Sequence, residues 1–189
     1  LDGDVPDIFN QLIPSPKPAL PQHPRFNHCK PPVVPKYNEY SVFTAGSIEM
    51  GAAVQWQERL VTHVCDLPIT VCNPRRGTWD PNVDVKSSDP DFRDQVEWEL
   101  EALQEATVIC FFFDQDTLSP VTMLELGLQA KSRKVIMCCG EKFWRSGNVD
   151  MVCNLYNIPW VRTFEQLVPA VRAFLCYKGL EVDENDDVL

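Results

Sequence analysis

The segment TVICFFF, residues 107–113, constrains the fold most, because an uninterrupted apolar strand of this kind needs both of its faces covered. Similar short apolar runs recur along the chain, and segments with helical spacing separate them. The predicted strands are 41–46, 67–72, 107–113, 134–139 and 157–161. The predicted helices are 52–64, 91–106, 120–131 and 164–177. This alternation predicts an α/β fold, with a flavodoxin-like, doubly wound, five-stranded parallel sheet in three layers.

The two ends of the chain differ in composition from the middle. Residues 1–38 contain nine of the 16 prolines, which predicts an extended, proline-rich arm. Residues 39–179 hold the alternating strands and helices and form the predicted α/β domain. Residues 180–189 are acidic, which predicts a disordered tail.

Composition excludes several kinds of protein. The formal net charge of −10 argues against a binder of duplex nucleic acid, which needs a basic face. The sequence contains no run of about 18 apolar residues, so it predicts no membrane span. The eight cysteines include no C-x-x-C pair, which favours buried free thiols in the cytoplasm. His23, His28 and Cys29 lack the tight spacing of metal ligands, so we expect no metal and no cofactor.

The helix predicted over 91–106 places a carboxylate beside its apolar side. On a helical wheel Phe92, Val96, Leu100 and Leu103 form one stripe, and Glu99 lies at its edge. A carboxylate near a core requires a partner or a wet cavity. Trp98 points toward the acidic side of the same helix, which indicates either a partner surface or a position beneath the N-terminal arm.

A second carboxylate, Glu125, lies early in the helix predicted over 120–131. Ser119 is its expected N-cap, and Val121, Leu124 and Leu128 are expected to face the sheet with Glu125 beside them. The positive end of the helix favours an ionised Glu125 at the carboxyl edge of the sheet. Asp114 and Asp116, at the end of the preceding strand, would reach the same cavity.

Two carboxylates in one pocket are a known arrangement for glycosidic chemistry, in which one attacks the anomeric carbon and the other handles a proton. By this reasoning Glu125 is the candidate nucleophile. Glu99, with a pKa raised by a less polar environment, would manage the proton. The alternative is that both glutamates form structural ion pairs with Arg75 or Arg76.

Two loops could complete a binding site. The turn after the first strand contains Gly46 and Ser47, whose backbone N–H groups could hold a hydroxyl or a phosphate, although a turn without a ligand is an equal alternative. The loop after the second strand offers an anion site and a stacking surface, or else a purely structural set of pairs. Its candidate residues are Asn73, Arg75, Arg76 and Trp79.

Five stretches together resemble the nucleoside 2-deoxyribosyltransferase superfamily, and more closely its nucleoside 2-deoxyribosyltransferase-like branch. They are FTAGSI (43–48), NPRRGTW (73–79), QVEWE (95–99), FFFDQD (111–116) and SPVTMLELG (119–127). The resemblance covers residues 41 to about 130. It implies a doubly wound parallel sheet, and a homodimer or higher homo-oligomer whose subunits complete each other's sites.

The resemblance also implies roles for single residues. Glu125 corresponds to the nucleophile of the E-L-G motif, and Glu99 takes the place of an acidic residue, usually Asp, that assists with the base. The turn that holds the sugar or its 5′ substituent corresponds to Gly46, Ser47 and Ile48. Further polar and acidic contacts correspond to Ser119 and to Asp114 or Asp116.

The predicted function is therefore cleavage or transfer at the N-glycosidic bond of a small-molecule nucleoside or nucleotide, through a covalent glycosyl-carboxylate intermediate. The sequence leaves open whether the sugar passes to another base or to water. One alternative is a non-catalytic nucleotide-binding or interaction module on the same fold. Another is an NAD-type glycohydrolase, in which Arg75 and Arg76 would serve the phosphates.

Overall fold

One parallel sheet forms the centre of the protein in a computed structural model that describes residues 5–76 and 88–181. Its strands are β1 (Asn27–Cys29), β2 (Tyr40–Gly46), β3 (Ile69–Cys72), β4 (Val108–Phe113), β5 (Val135–Cys139) and β6 (Trp160–Val161). They lie in the order β1-β3-β2-β4-β5-β6, and all are parallel. The last five follow the 2-1-3-4-5 order of flavodoxin-like sheets.

Helices cover both faces of the sheet, which gives the predicted three layers. The helices are α1 (Trp56–Val64), α2 (Pro90–Glu105), α3 (Pro120–Gln129), α4 (Ser146–Tyr156) and α5 (Phe164–Tyr177), and a single 3-10 turn spans Glu49–Gly51. One core lies between the sheet and helices α2, α3 and α4, and the other lies between the sheet and helices α1 and α5. Among the described residues, no helix has the length and apolar character needed to cross a membrane.

The described residues form a sheet of six strands, so the prediction of five was wrong. The additional strand, β1, lies in the proline-rich region and pairs with β3, with Asn27 opposite Thr70 and Cys29 opposite Cys72. Residues 25–30 contain no proline, so their N–H groups are available for a hydrogen-bond ladder. The predicted acidic tail lies largely outside the described residues, which end at Glu181.

Helix α4 was not predicted. Only Val149 and Cys153 of this helix are buried, whereas Met151 and Leu155 are exposed. Apolar residues on two sides of a helix give no clear amphipathic pattern, and no side chain caps its start. Helix α1 begins at Trp56, later than predicted, because residues 52–55 are irregular and Val54 hydrogen-bonds through its backbone to the side chains of Asp114 and Arg75.

Helix α2 is rotated relative to the predicted wheel. Trp98 is buried and donates from Nε1 to the carbonyl of Val33, 2.8 Å away, whereas Leu100 is half-exposed. The N-terminal arm therefore covers Trp98, which is one of the two predicted alternatives. Asp89 caps the helix by accepting the backbone N–H of Phe92 at 3.0 Å, and Pro90 is the first helical residue.

Helix α3 presents the opposite side to the one predicted. Thr122 and Leu126 face the core, whereas Val121, Leu124 and Leu128 are each more than 60% exposed. The prediction assumed that the most apolar stripe would face the sheet. The structure instead leaves that stripe on the surface, and α4, which packs on the same face of the sheet, also exposes apolar residues.

Candidate active site

The candidate site lies at the carboxyl ends of β2, β3 and β4, where ligands bind in sheets of this kind. Gly46 ends β2 in a position that only glycine fits. A Cβ atom built there would lie 2.4 Å from Cζ2 of Trp56 and 2.6 Å from the carbonyl oxygen of Phe112. The chain therefore passes closely between α1 and β4, and Gly46 fixes where the following turn begins.

A cluster of three buried hydroxyl groups connects that turn to the start of α3. Oγ of Ser47 lies 2.6 Å from Oγ of Ser119 and 3.0 Å from Oγ1 of Thr117. Ser47 also accepts the backbone N–H of Asp114 at 2.9 Å, and its own N–H donates to the carbonyl of Phe112 at 2.9 Å. The backbone N–H of Ser47, a predicted ligand donor, is thus already used within the protein.

Ser119 precedes α3 in a left-handed conformation, with φ 49° and ψ 50°, and its hydroxyl makes no capping hydrogen bond. A carboxylate from another loop instead holds the turn that precedes the helix. Oε2 of Glu49 accepts the backbone N–H of Leu118 at 2.8 Å and that of Ser119 at 3.0 Å. Glu49 and its neighbour Met50 also have positive φ angles, of 46° and 54°. The sequence analysis did not predict a role for Glu49. Its only signal in the sequence was an acidic side chain in the turn after β2.

Asp114 is buried and holds the surrounding loops. Its Oδ2 accepts the backbone N–H of Val54 at 2.8 Å, and its Oδ1 accepts Nε2 of Gln11 at 2.8 Å and the backbone N–H of Asp116 at 2.9 Å. The arm residue Gln11 thereby contacts the rim of the site. The side chain of Asp116 is exposed at the same rim.

Ile48 and two of the predicted binding residues stabilise the loops. The carbonyl of Ile48 accepts the N–H of Gly51 at 2.9 Å within the 3-10 turn. Asn73 is buried, donates to Oε1 of Glu58 at 3.2 Å and accepts the backbone N–H of Arg75 at 3.0 Å. The Arg75 guanidinium is buried and donates to the carbonyl oxygens of Gly51 and Val54 at 3.0 and 2.9 Å. Trp79 lies outside the described residues.

The two candidate catalytic carboxyl groups come from α2 and α3 and share one environment. Burial raises the pKa of Glu99, and a hydrogen bond from Gln95 and the charge of Arg76 partly oppose this rise in the pKa. Burial and the negative charge of Glu99 raise the pKa of Glu125 to about 8. The charge of Glu99, on α2, therefore acts on the carboxyl group of Glu125, on α3.

Near neutral pH Glu125 is therefore mostly protonated, and not ionised as its position near the start of α3 had predicted. The effect of the helix N-terminus falls off within the first turn, and Glu125 lies in the second. Desolvation and the neighbouring carboxylate outweigh it. A proton is consequently retained within the pair, as in other sites where two carboxyl groups must serve as acid and base.

A chain of polar contacts leads from Glu99 to the loop after β3. Gln95 donates to Glu99 and to the carbonyl of Pro74, and it accepts Nε of Arg76. Arg76 also donates to the carbonyl of Asp91 at 3.1 Å. Among the described residues, neither Glu99 nor Glu125 forms an ion pair with a lysine or arginine. The described residues thus do not form the direct ion pairs to Arg75 or Arg76 that the structural alternative predicted.

The fold and the site define a flavodoxin-like α/β protein with two half-buried, electrostatically interacting carboxyl groups on helices that follow the carboxyl edge of its sheet. Residues 39–143 match the model of the family described as nucleoside 2-deoxyribosyltransferase like. The match covers more than half of the chain, so the protein belongs to the nucleoside 2-deoxyribosyltransferase-like family, which confirms the resemblance seen in the sequence. No curated protein matches the chain.

Proposed function

We propose that this protein cleaves or transfers at the N-glycosidic bond of a nucleoside or nucleotide through a covalent intermediate on Glu125. Family membership supports a nucleoside 2-deoxyribosyltransferase-like function in general. The observation that carries the specific proposal is the electrostatic coupling of Glu125 to Glu99, from separate helices, in a partly desolvated site.

In the first half-reaction, a carboxylate oxygen of Glu125 forms a bond to C1′ of the sugar while the C1′–N bond breaks. The electron pair of that bond stays with the base, which takes up the proton held by Glu99. In the second half-reaction, water or another base attacks C1′ and loses a proton to Glu99. The bond between C1′ and Glu125 breaks, and the Glu125 carboxylate is regenerated.

The direct experiment measures base release. The full chain is incubated with nucleosides, 2′-deoxynucleosides and their 5′-monophosphates, with and without a second base, and products are separated by chromatography. Glu125→Gln should lower the rate at least about a thousandfold, because it removes the nucleophile. Glu97→Gln, which changes the same charge on the exposed side of α2, is the matched control and should retain activity.

One observation favours the non-catalytic alternative. A Glu125 with a pKa near 8 is mostly protonated at neutral pH, and a protonated carboxyl is a poor nucleophile. Thermal stabilisation by a nucleoside, without release of base over long incubation, would identify a binding module. Release of free nicotinamide from NAD would identify a glycohydrolase instead.

We further propose that two copies pair through the exposed apolar stripe of α3 and α4, formed by Val121, Leu124, Leu128, Met151 and Leu155. The only charged residue of α3 is the half-buried Glu125, and Asp150 of α4 is paired with Arg162, so two copies of this stripe can meet without bringing exposed like charges together. That matters for a chain with a net charge of −10. Apolar surface of this kind on adjacent helices is typical of a subunit interface.

We also place the protein in a reducing compartment such as the cytoplasm. All eight cysteines are free, and Cys29, Cys72, Cys110, Cys138, Cys139 and Cys153 are buried. Burial raises the pKa of Cys153 to about 11, which keeps this thiol protonated and unreactive.

A further inference from the structure

Gln95 lies one turn before Glu99 on α2, and the two side chains are joined by a hydrogen bond. Residues four positions apart lie on the same side of a helix, so α2 itself brings them together. Nε2 of Gln95 donates to Oε1 of Glu99. The Gln95 side chain is buried, with 7% of the residue exposed, so little water competes for this bond. Glu99 therefore has a fixed neighbour that takes no part in the proposed bond changes.

The other partners of Gln95 fix the direction of its amide. Nε2 also donates to the carbonyl of Pro74, 3.1 Å away, and a carbonyl can only accept. Oε1 of Gln95 accepts Nε of Arg76, and a guanidinium can only donate. A rotated amide would place two acceptors together at Pro74 and two donors together at Arg76. Gln95 therefore presents an N–H group, rather than an oxygen, to Glu99.

A donor at Oε1 decides which oxygen of Glu99 can carry a proton. In a neutral carboxyl group, the oxygen that accepts a hydrogen bond from an N–H is the carbonyl oxygen, so the proton resides on the other one, Oε2. Within residues 5–76 and 88–181, Oε2 of Glu99 forms no hydrogen bond. Oε2 is therefore the oxygen left to exchange a proton with a ligand.

The same donor stabilises Glu99 after the proton has left. Hydrogen bonds to an ionised carboxylate are stronger than those to a neutral carboxyl group. Burial raises the pKa of Glu99, and the hydrogen bond from Gln95 and the charge of Arg76 oppose that rise in the pKa. Because Arg76 also donates to Gln95, it holds and polarises the amide that faces Glu99. Gln95 and Arg76 together make Glu99 a better proton donor than burial alone would allow.

We propose that Gln95 is a positioning residue for Glu99: its N–H group leaves the transferable proton on Oε2 and stabilises the carboxylate that remains once the base has taken that proton. The proposal rests on the proposed function, because it assumes that Glu99 gives its proton to the departing base. It adds the residue that prepares Glu99 for this role. In the second half-reaction, the same N–H group holds the Glu99 carboxylate while it accepts a proton from water or from the incoming base.

The first test measures base release by Gln95→Met, which keeps the length of the side chain and removes its amide. Without the donor the Glu99 carboxylate is less stable, so kcat/KM should fall about tenfold or more. The pH at which kcat/KM declines, as the carboxyl pair loses its one proton, should rise by about half a unit or more. Gln104→Met makes the same change at an exposed position of α2 and should leave both quantities unchanged.

A lower rate with an unmoved pH profile would mean that Gln95 only supports the fold, and it would overturn the proposal. An unchanged rate would overturn it as well. Neither result touches the proposed function, which is decided by whether the wild-type chain releases base at all.

A second measurement needs no turnover. NMR of isotopically labelled glutamate carboxyl carbons follows the titration of Glu99, and Glu99→Gln identifies its signal. If the wild type releases no base, the proposed function fails by itself and this titration decides the role of Gln95. A higher midpoint for Glu99 in Gln95→Met than in the wild type supports that role, and an equal or lower midpoint overturns it.

The wild type alone decides the matter if Gln95→Met does not fold. The Nε2–H signals of Gln95 should then shift as Glu99 ionises, because the hydrogen bond between them strengthens. Signals that do not respond while Glu99 titrates would overturn the proposal.

Discussion

The carboxyl group of Glu99, on α2, lies close enough to that of Glu125, on α3, for its charge to add to burial in raising the pKa of Glu125 to about 8. Burial also raises the pKa of Glu99, and Gln95 and Arg76 oppose that rise. The environments of the two groups therefore differ, because within the described part of the chain only Glu99 has a hydrogen-bond donor and a nearby cation. This difference gives each carboxyl group its own response to pH and mutation.

The raised pKa of Glu125 predicts a loss of stability as the pH rises. In the unfolded chain the carboxyl has an ordinary pKa of 4.5, whereas in the folded protein the pKa is about 8. The protonated form is thus favoured by folding, and its contribution is complete below pH 4.5 and is lost as the pH rises to 8. The glutamine of Glu125→Gln cannot ionise. We therefore expect the Tm of this variant, relative to that of the wild type, to be higher at pH 9 than at pH 5 by at least about 2–4 °C. Parallel Tm curves for the two proteins would contradict the assignment.

Removal of the charge at Glu99 should change the pH dependence of the reaction. Under the proposed mechanism Glu125 attacks as a carboxylate while Glu99 holds the one proton of the pair, so kcat/KM of the wild type should fall as the pH rises through about 8, where the pair loses that proton. Glu99→Gln has no proton to lose at this position, so the falling limb should disappear, while the maximum rate falls about 100-fold or more through loss of the proton donor. The readout is the pH profile of base release. A falling limb at the wild-type position would show that Glu99 does not hold this proton.

The N-terminal arm should stabilise the rim of the site through Gln11. Its side-chain amide donates to Asp114 at 2.8 Å and accepts the backbone N–H of Gln115 at 3.0 Å. Gln11→Ala leaves a buried carboxylate oxygen and a backbone donor with one partner fewer, which should lower the free energy of unfolding by about 1–3 kcal/mol in urea titrations. Gln104→Ala, an exposed glutamine on α2, is the control and should change stability by less than about 0.5 kcal/mol.

Trp98 should be a major contributor to stability rather than a surface residue. The indole is buried, packs against Phe43 and donates to the carbonyl of Val33. Trp98→Ala should cost about 3–5 kcal/mol through the cavity, whereas Trp98→Phe should cost less, because it keeps an aromatic ring and loses the hydrogen bond. Chemical denaturation measures both. A loss below about 1 kcal/mol for the alanine variant would show that the arm does not cover this position in solution.

The proposed pairing of α3 and α4 predicts that a charge in the stripe separates two copies. Leu124 is 63% exposed, so Leu124→Lys should fold as a monomer while keeping its Tm within a few degrees. Light scattering coupled to size-exclusion chromatography gives the mass of each species. Leu100→Lys, at a half-exposed position on α2, should keep the wild-type mass. A monomeric wild type would exclude this interface.

The pattern of residues predicted the sheet better than it predicted the faces of its helices. Strand β4 is apolar throughout and was predicted correctly apart from its first residue. Both of its faces are covered, so the prediction did not have to decide which side chains face the core. For helices α2 and α3 the prediction must decide which side of the helix faces the core, and apolar residues occupy more than one side of each. Trp98 was therefore placed outward and Leu124 inward, whereas tertiary packing reverses both positions.

The site was predictable only where a charged side chain lies beside the apolar residues of its own helix. Glu99 and Glu125 stood out because a carboxylate beside core residues is costly. Glu49 could not stand out, since its two hydrogen-bond donors lie about 70 residues away in the chain. The roles of Asp114 and Arg75 depend in the same way on distant backbone groups, which no local pattern encodes.

Strand β1 gives the N-terminal segment a protective role in addition to its contacts at the site. By pairing with β3 through Asn27–Cys29, it supplies the hydrogen-bonding partners that β3 would otherwise lack. A chain shortened to begin after residue 38 would leave the outer side of β3 unpaired, with an apolar sequence, ITVC, available to any other strand. Such an edge invites pairing between molecules, so the segment guards the sheet against aggregation.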